Sequence, residues 1–115
     1  MIDYNKELVS ALKTILPTYH ELVLNKGTKT PCLSYQELNN YVTEDGDTIE
    51  YSRVSFQVKV WGTDIALLFQ YAREVDNVLR PLGFKRTASG ELYDRNSSMI
   101  QKILTYEALA LETFN

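Results

Sequence analysis

The sequence contains a single cysteine, Cys32, and a single histidine, His20, among its 115 residues. One cysteine excludes a disulfide within the chain and also a cysteine-based metal cluster. A lone histidine needs an orienting partner and a nucleophile to work as a general base, and no such set is recognisable here. We therefore expect His20 to have a surface or packing role. Cys32 follows Pro31 at the start of an apolar segment, which favours a small buried residue over a nucleophile.

Glycine is also sparse, and its five copies are isolated, so no phosphate-binding loop or dinucleotide fingerprint is present. No run approaches the roughly 20 apolar residues that span a bilayer. The first residues include Asp3 and Glu7 and do not resemble a signal peptide. Four carboxylates cluster near the middle of the chain: Glu44, Asp45, Asp47 and Glu50. They lack the spacing of a calcium-binding EF-hand loop and favour a solvated turn. We expect no catalytic, cofactor-binding or metal-binding residues.

The charge is modest, with 12 basic and 15 acidic side chains and a formal net charge of -3. Nucleic acids and anionic membranes attract basic surfaces, so neither is an expected partner. The 44% hydrophobic and 23% charged residues are ordinary for a globular protein. Residues 1–115 are expected to form one domain with one modest core. A single cysteine suits a reducing compartment.

The clearest pattern lies between residues 48 and 62. Val54, Phe56, Val58 and Val60 alternate with polar residues, which is typical of a strand with one buried face. We predict a strand over residues 48–61. At about 3.3 Å per residue it could reach roughly 45 Å. The period changes to that of a helix immediately afterwards, at residues 63 and 64.

A hairpin is predicted upstream of this strand, since residues 31–38 read as a strand and Asp45-Gly46 is a strong turn signal. A two-residue turn there places Leu33 opposite Val58 and Tyr35 opposite Phe56. The same register pairs Asn39 with Ser52, Tyr41 with Glu50, and Val42 with Ile49. That far end has no continuous apolar face, and a small core cannot cover it. We therefore expect the hairpin tip to project as an arm, unless the strand bends or breaks near Ser52.

Two helices are predicted. The first begins at an Asp3 cap and ends before Pro17, because a residue before proline avoids the helical region. The second is capped by Thr63 or Asp64 and should stop near Leu79 or Arg80, with Gly83 as a left-handed cap. Its apolar stripe consists of Ile65, Leu68, Ala72, Val75 and Leu79, widened by Phe69 and Leu82.

The remaining segments read as strands. Residues 20–24 form a weak strand or a continuation turn. Residues 84–88 enter a turn at Ser89-Gly90, and residues 91–93 pair back. Residues 99–114 fit a strand by their β-branched and aromatic content, although Leu104, Ala108 and Leu111 also fit a helix. The predicted fold is α+β, with a mostly antiparallel sheet, a long projecting hairpin and two helices on one face.

Aromatic residues suggest where a partner would bind, since tyrosine and tryptophan are favoured at protein interfaces. Trp61 ends the long strand on the face opposite Phe56 and Val60, and an interface role and a core role remain equally open for it. Tyr41 and Tyr51 lie on the predicted arm, where an interface is favoured. The candidate interface residues are Tyr41, Val42, Ile49, Tyr51 and Trp61.

Several sequence segments, and their order along the chain, resemble those of the tail-completion, or tail-terminator, proteins of long-tailed bacteriophages and prophages. They are an amphipathic helix closed by Pro17, the strand PCLSYQEL, an acidic loop, and the strand VSFQVKVWG ending in tryptophan. The helical segment TDIALLFQYAREVDNVLRPLGF, the turn LYDRNSS and the strand MIQKILTYEALA complete the match. The resemblance spans nearly the whole chain, and no single residue is diagnostic.

The resemblance implies a non-enzymatic structural protein of the virion tail, present in the bacterial host cytoplasm before assembly. It implies a ring, commonly of six subunits, that caps the tail tube and joins it to the head connector. Its expected partners are copies of itself, tail-tube subunits and head-connector proteins, without sequence-specific nucleic acid binding, membrane or cofactor. Two other readings stay open: a stand-alone protein- or peptide-binding module of bacterial origin, and, less favoured, an enzyme around His20 and Cys32.

Overall fold

A five-stranded sheet with two helices forms the protein, as seen in a computed structural model that describes residues 4–45 and 49–111, with side chains described for residues 4–40 and 53–108. The helices are α1 (Asn5–Lys13) and α2 (Ile65–Leu79). The strands are β1 (Thr18–His20), β2 (Cys32–Asp45), β3 (Ile49–Gly62), β4 (Lys85–Asp94) and β5 (Met99–Leu111). The strand order is β1-β2-β3-β5-β4. Only the pairing of β1 with β2 is parallel among these strands, so the predicted α+β fold with a mostly antiparallel sheet is confirmed.

The core lies on one face of the sheet, and both helices contribute to it. The alternating residues of β3 are buried as predicted, and β5 adds Leu104, Tyr106 and Ala108. The buried cluster comprises Leu8, Leu12, Leu33, Val54, Phe56, Val58, Val60, Leu68, Ala72, Val75, Leu79, Phe84, Leu104, Tyr106 and Ala108. Phe56 lies at its centre, edge-on to Phe84 at 5.0 Å between ring centroids. We call this face of the sheet the helix-side face and the other the open face.

β2 and β3 pair antiparallel, but the register that the sequence predicts for them is wrong by two residues near the core. Leu33 pairs with Val60 and Tyr35 with Val58. A shift of two keeps every side chain on its predicted face, because side chains alternate with period two. The last described pair joins Asp45 to Ile49, which is three positions from the predicted register, and a bulge at Leu38 then reduces the difference to two.

The far-end pairs therefore also differ from the prediction. Tyr41 pairs with Arg53 and Val42 with Ser52, while Ser55 is opposite Asn39. β3 continues unbroken through Ser52. The projection of the hairpin tip stays a prediction, since the side chains that would decide it lie outside those described.

The second helix begins and ends as predicted. The Asp64 carboxylate accepts hydrogen bonds from the backbone N–H groups of Ala66 and Leu67, and the helix stops at Leu79. A short 3-10 turn carries Pro81 to Gly83, whose φ of 92° is the expected left-handed conformation. The buried stripe is narrower than predicted. Leu68, Ala72, Val75 and Leu79 are buried, whereas Ile65, Phe69 and Leu82 are 40%, 42% and 43% exposed.

The first helix is shorter than predicted. It ends at Lys13, four residues before Pro17, with Thr14 as its C-cap. The predicted N-cap Asp3 lies outside the described residues, and Tyr4 occupies the position before the first helical residue without a side-chain capping bond. Residues 20–24 are not a strand as a whole, since β1 covers only Thr18–His20 and a 3-10 turn, Glu21–Val23, follows it.

The C-terminal strands differ in one respect from the prediction. The expected turn at Ser89-Gly90 is wrong, because both residues lie inside β4, where they pair with Leu104 and Ile103 of β5. The strand interpretation of β5 is confirmed through Leu111, and residues 112–114 of that prediction lie outside the described part. The polar segment after Asp94 forms the turn between β4 and β5. The described molecule is elongated, with principal extents of 54 × 24 × 24 Å.

Candidate interaction surfaces

Four of the five predicted interface residues lie at the hairpin end of the sheet. Tyr41 and Val42 are in β2, and Ile49 and Tyr51 are in β3. The two strands pair antiparallel at this end, and Tyr51 of β3 lies opposite Thr43 of β2. Their side chains lie outside those described, so their role in an interface stays a prediction.

The hairpin end contains a third strand that the sequence did not predict there. β5 pairs with β3 as far as Tyr51 opposite Leu111, so β3 is an interior strand along most of its length. The edge of the sheet at this end therefore belongs to β2. Its parallel partner β1 pairs only with Leu33, Ser34 and Tyr35. From Gln36 onward, no described strand pairs with the outer edge of β2.

Trp61 is half-buried on the open face, as its predicted position opposite Phe56 and Val60 requires. Its indole N–H donates a hydrogen bond of 2.8 Å to the Ser34 hydroxyl, and Lys59 Nζ lies 5.8 Å from the ring centroid. Lys59 also pairs with Glu21 from the 3-10 turn beyond β1. The polar handle of Trp61 is thus satisfied within the chain, while part of its ring surface remains available to a partner.

A cleft of about 810 Å³ opens beside Trp61 on the open face, at the end of the sheet opposite the hairpin end. The loop after β1 forms one wall and the β4–β5 turn forms the other. Its lining includes Leu24, Lys26, Cys32, Trp61, Met99 and Gln101. Cys32 is buried, and burial raises the pKa of its thiol, which disfavours the nucleophilic thiolate. The prediction that Cys32 is a small buried residue is confirmed.

His20 and Cys32 are not arranged as a catalytic pair. His20 Nδ1 accepts a hydrogen bond of 3.1 Å from the Leu22 N–H, and its ring packs edge-on against Tyr35 at 5.2 Å. Cys32 instead pairs across the sheet with Trp61. His20 therefore has the packing role that the sequence indicates, and one of its nitrogens is already occupied by the local turn.

A charged cluster that sequence reasoning missed joins α2, β4 and β5. The buried Tyr106 hydroxyl donates a hydrogen bond of 2.6 Å to Asp76, and Arg86 lies 3.3 Å from the other oxygen of that carboxylate. Burial first, and then the hydrogen bond to Asp76, raise the pKa of Tyr106. Arg80, Lys85 and Phe84 line the cleft of about 450 Å³ next to this cluster. The sequence offers no signal for it, because the three residues are distant in the chain.

The outer edge strand β4 is more exposed than any other strand among the residues whose side chains are described. All ten of its residues are exposed, including Leu92 at 55% and Tyr93 at 59%. No strand in the described ranges pairs with its outer edge. Its Glu91 forms an ion pair of 3.0 Å with Lys102, which is 7% exposed and lies 4.3 Å below the Phe69 ring. The sequence predicts a turn at Ser89-Gly90 in the middle of this strand, so the full length of β4 was not predicted.

Within residues 4–45 and 49–111, no group of three or more histidine, cysteine or acidic side chains could hold a metal ion. Glu44, Asp45 and Glu50 of the carboxylate cluster lie at the ends of β2 and β3, and Asp47 is outside the described residues. None of the described helices has the length and apolar character needed to cross a bilayer.

The fold is similar to one seen in a solved structure of the virion of a native gene transfer agent particle. The match covers 91% of this chain and 84% of that chain, with a TM-score of 0.61 and 14% sequence identity. At this identity the likeness is one of fold. No protein-family model matches the sequence. No curated protein matches it either.

Proposed function

We propose that this protein is a structural component of a virion or virion-like particle. The observation that carries the proposal is the shared fold with a chain of the gene transfer agent virion, which extends over nearly the full length of both chains. Fold likeness alone does not fix function. The sequence resemblance to phage tail-completion proteins points in the same direction from different evidence, namely the order of local sequence phrases.

Within that class, we propose the role of a tail-completion protein that caps the tail tube and joins it to the head connector. Copies would form a ring, of six subunits in the commonest arrangement. The location would be the virion tail, preceded by the host cytoplasm. The partners would be the neighbouring copies, tail-tube subunits and head-connector proteins, with no membrane and no sequence-specific binding to nucleic acid. The net charge of -3 suits a channel that must not hold DNA tightly.

A ring requires a heterologous interface, in which one patch of a subunit meets a different patch on its neighbour. The hairpin end offers one such patch, since the β2 edge beyond Tyr35 has unpaired backbone groups among the described strands and carries the predicted residues Tyr41 and Val42. The open face around Trp61 is a different surface of the same subunit and could receive it. Strand addition or packing of the hairpin end against a neighbour would generate a ring when the rotation between successive subunits closes.

A non-enzymatic role is part of the proposal. Its support is that His20 and Cys32, the residues on which an enzyme reading depended, are engaged separately in packing and burial. A general base also needs a nucleophile within hydrogen-bond reach.

The experiment that tests the proposal is the mass of the purified protein in solution by light scattering. It is measured over a concentration range, alone and with purified tail-tube subunits of the same particle, and images of the mixture are taken by electron microscopy. We expect a ring-sized species that binds the end of tail tubes. A species that stays the same size in both conditions and ignores the tubes would contradict the tail-capping role and favour the stand-alone binding module.

A further inference from the structure

The outer edge of β4 has the properties of a self-complementary pairing surface. We propose that β4 pairs antiparallel with β4 of a second copy, across a two-fold axis at Gly90. An unpaired edge strand presents a row of free N–H and C=O groups that can template another strand. β4 is ten residues long, every one of its residues is exposed, and the backbone groups that do not pair with β5 face its outer edge.

The charges along β4 identify the occupant. Its first residues, Lys85 and Arg86, are basic, whereas Glu91 and Asp94 near its end are acidic. An antiparallel second copy therefore places basic residues opposite acidic ones at both ends. A parallel copy would place like charges together, which is unfavourable on paired strands.

The faces of β4 select the register. Arg86, Glu91 and Tyr93 pair with the helix-side residues Tyr106, Lys102 and Ile100, so they point to the helix-side face. Lys85, Ala88, Gly90, Leu92 and Asp94 point to the open face. The bulge between Arg86 and Ala88 changes which residues face each side, so that odd-numbered Lys85 and even-numbered Ala88 share the open face.

With Gly90 opposite Gly90 of the second copy, every pair has both members on the same face. Ala88 then lies opposite Leu92, and Ser89 opposite Glu91. Thr87 is the bulged residue of β4 and has no partner in this pairing. Because the axis is two-fold, the bulge occurs once in each copy. Beyond it, Arg86 lies opposite Tyr93 and Lys85 opposite Asp94.

The neighbouring register would use charged side chains that already form ion pairs within the chain. Moving the axis to Ser89 would place Arg86 opposite Glu91, but both are already paired, with Asp76 and Lys102 respectively. It would also leave Asp94 and Tyr93 beyond the end of the pairing. The Gly90 register instead joins Lys85 and Asp94, which form no ion pair within the described part of the chain. It covers Leu92 and Tyr93, the most exposed large apolar residues of the strand.

The centre of the contact favours close approach. Ala88, Ser89 and Gly90 are small, and a Cβ placed on Gly90 would meet nothing within 4 Å. The contact is isologous and is complete with two copies, so it cannot build a ring by itself. It is independent of the proposed function and uses neither the hairpin end nor Trp61.

Cross-linking tests the register directly. Directly opposite residues in antiparallel strands have Cα atoms about 4.5–5.5 Å apart, which a disulfide can bridge. We expect Gly90→Cys to form a disulfide-linked dimer under mild oxidation. Leu92→Cys is the matched control, on the same strand and face, and it should not link to its own copy because it lies opposite Ala88. The native Cys32 is buried and does not interfere. Equal cross-linking of the two variants, or none at Gly90, would overturn the proposal.

Charge exchange tests the pairing without a covalent bond. Lys85→Glu and Asp94→Lys should each raise the dissociation constant of the dimer by about tenfold or more, because each places two like-charge pairs across the axis. An equimolar mixture should dimerise again, since both pairs become opposite in charge. Lys6→Glu on α1 changes the net charge by the same amount as Lys85→Glu and should have no effect.

Asp94 also accepts hydrogen bonds from Asn96 N–H and the Ser97 hydroxyl, so Asp94→Lys requires a folding check. Asp94→Asn preserves an acceptor for the turn and should weaken the dimer by a smaller factor. A wild-type protein that is monomeric at all concentrations overturns the proposal. So does any dimer or ring that is indifferent to Lys85→Glu, although such a ring would still support the proposed function.

Discussion

Tyr106 in β5 donates a 2.6 Å hydrogen bond to Asp76 in α2, and this bond connects the helix-side face of the sheet to α2. Arg86 from β4 binds the same carboxylate at 3.3 Å. Three elements that are separate in sequence are therefore joined at one side chain.

Tyr106→Phe is expected to lower the free energy of unfolding by about 1.5–3 kcal/mol. The ring keeps its stacking on Phe56, while the hydrogen bond to a charged acceptor is lost. Chemical denaturation monitored by circular dichroism measures the change. Tyr93→Phe is the control, since that side chain is 59% exposed and its hydroxyl should matter little. Equal effects of the two substitutions would show that the Asp76 bond contributes no net stability.

The raised pKa of Tyr106 predicts a loss of stability at alkaline pH. Its folded-state pKa lies above the unfolded value of about 10, so its contribution is complete below pH 10 and is lost as the pH rises further. The wild type should lose up to about 1.4 kcal/mol more per pH unit above pH 10 than Tyr106→Phe does. The comparison removes the contribution of the other tyrosines. Parallel pH profiles for the two proteins would contradict the assignment.

Phe56→Ala should destabilise the protein by roughly 3–5 kcal/mol, as is usual for a buried phenylalanine. Phe56 is 2% exposed and contacts the rings of Phe84 and Tyr106. Gln57→Ala, one position along on the open face, is the control and should change stability little. Thermal unfolding compares the two. Near-wild-type stability of Phe56→Ala would mean that the helix-side face is wrongly assigned.

Asp64→Ala should cost about 1 kcal/mol through the loss of the N-cap of α2. Asp64→Asn should retain nearly all of the stability, because asparagine caps helices about as well as aspartate. Urea denaturation of the three proteins gives the comparison. If asparagine were as costly as alanine, the charge of Asp64 and not its hydrogen bonds would be the stabilising factor.

Replacing Tyr41 and Tyr51 together with serine should leave the melting temperature nearly unchanged and weaken assembly of the proposed ring. Tyr19→Ser, an exposed tyrosine on β1, serves as the control for assembly. Calorimetry and light scattering measure the two properties. A large loss of melting temperature would identify Tyr41 and Tyr51 as core residues and exclude the interface prediction.

The sequence predicted the central features of the fold because they depend on local periodicity. The alternation of residues 54–60 identified β3 and its buried face, and the Asp64 cap and Gly83 identified the limits of α2. The register of the hairpin was less predictable, since the Leu38 bulge depends on the partner strand. An even shift nevertheless preserved the faces, which is why the core was predicted better than the pairing.

The edges of the sheet could not be predicted in this way. Ser89-Gly90 has the composition of a turn, yet pairing with Leu104 and Ile103 holds both residues in β4. Helical spacing likewise identified which residues of α2 share a face but not how much of that face the sheet covers, so Phe69 is exposed. Cross-strand and helix–sheet contacts decide these points, and they join residues that are distant in sequence. The Tyr106–Asp76 bond and the β4 surface both belong to this class.

The 54 × 24 × 24 Å shape has a practical hydrodynamic consequence. An elongated particle experiences more friction than a sphere of the same mass, so it diffuses more slowly and elutes earlier from a sizing column. A monomer of this 13.2 kDa chain would therefore migrate like a larger compact protein. Elution volume would overstate its self-association, and a two-fold dimer joined edge to edge would depart from spherical behaviour in its own way. Oligomeric state in this protein must therefore be assigned from scattering mass or sedimentation equilibrium, neither of which depends on shape.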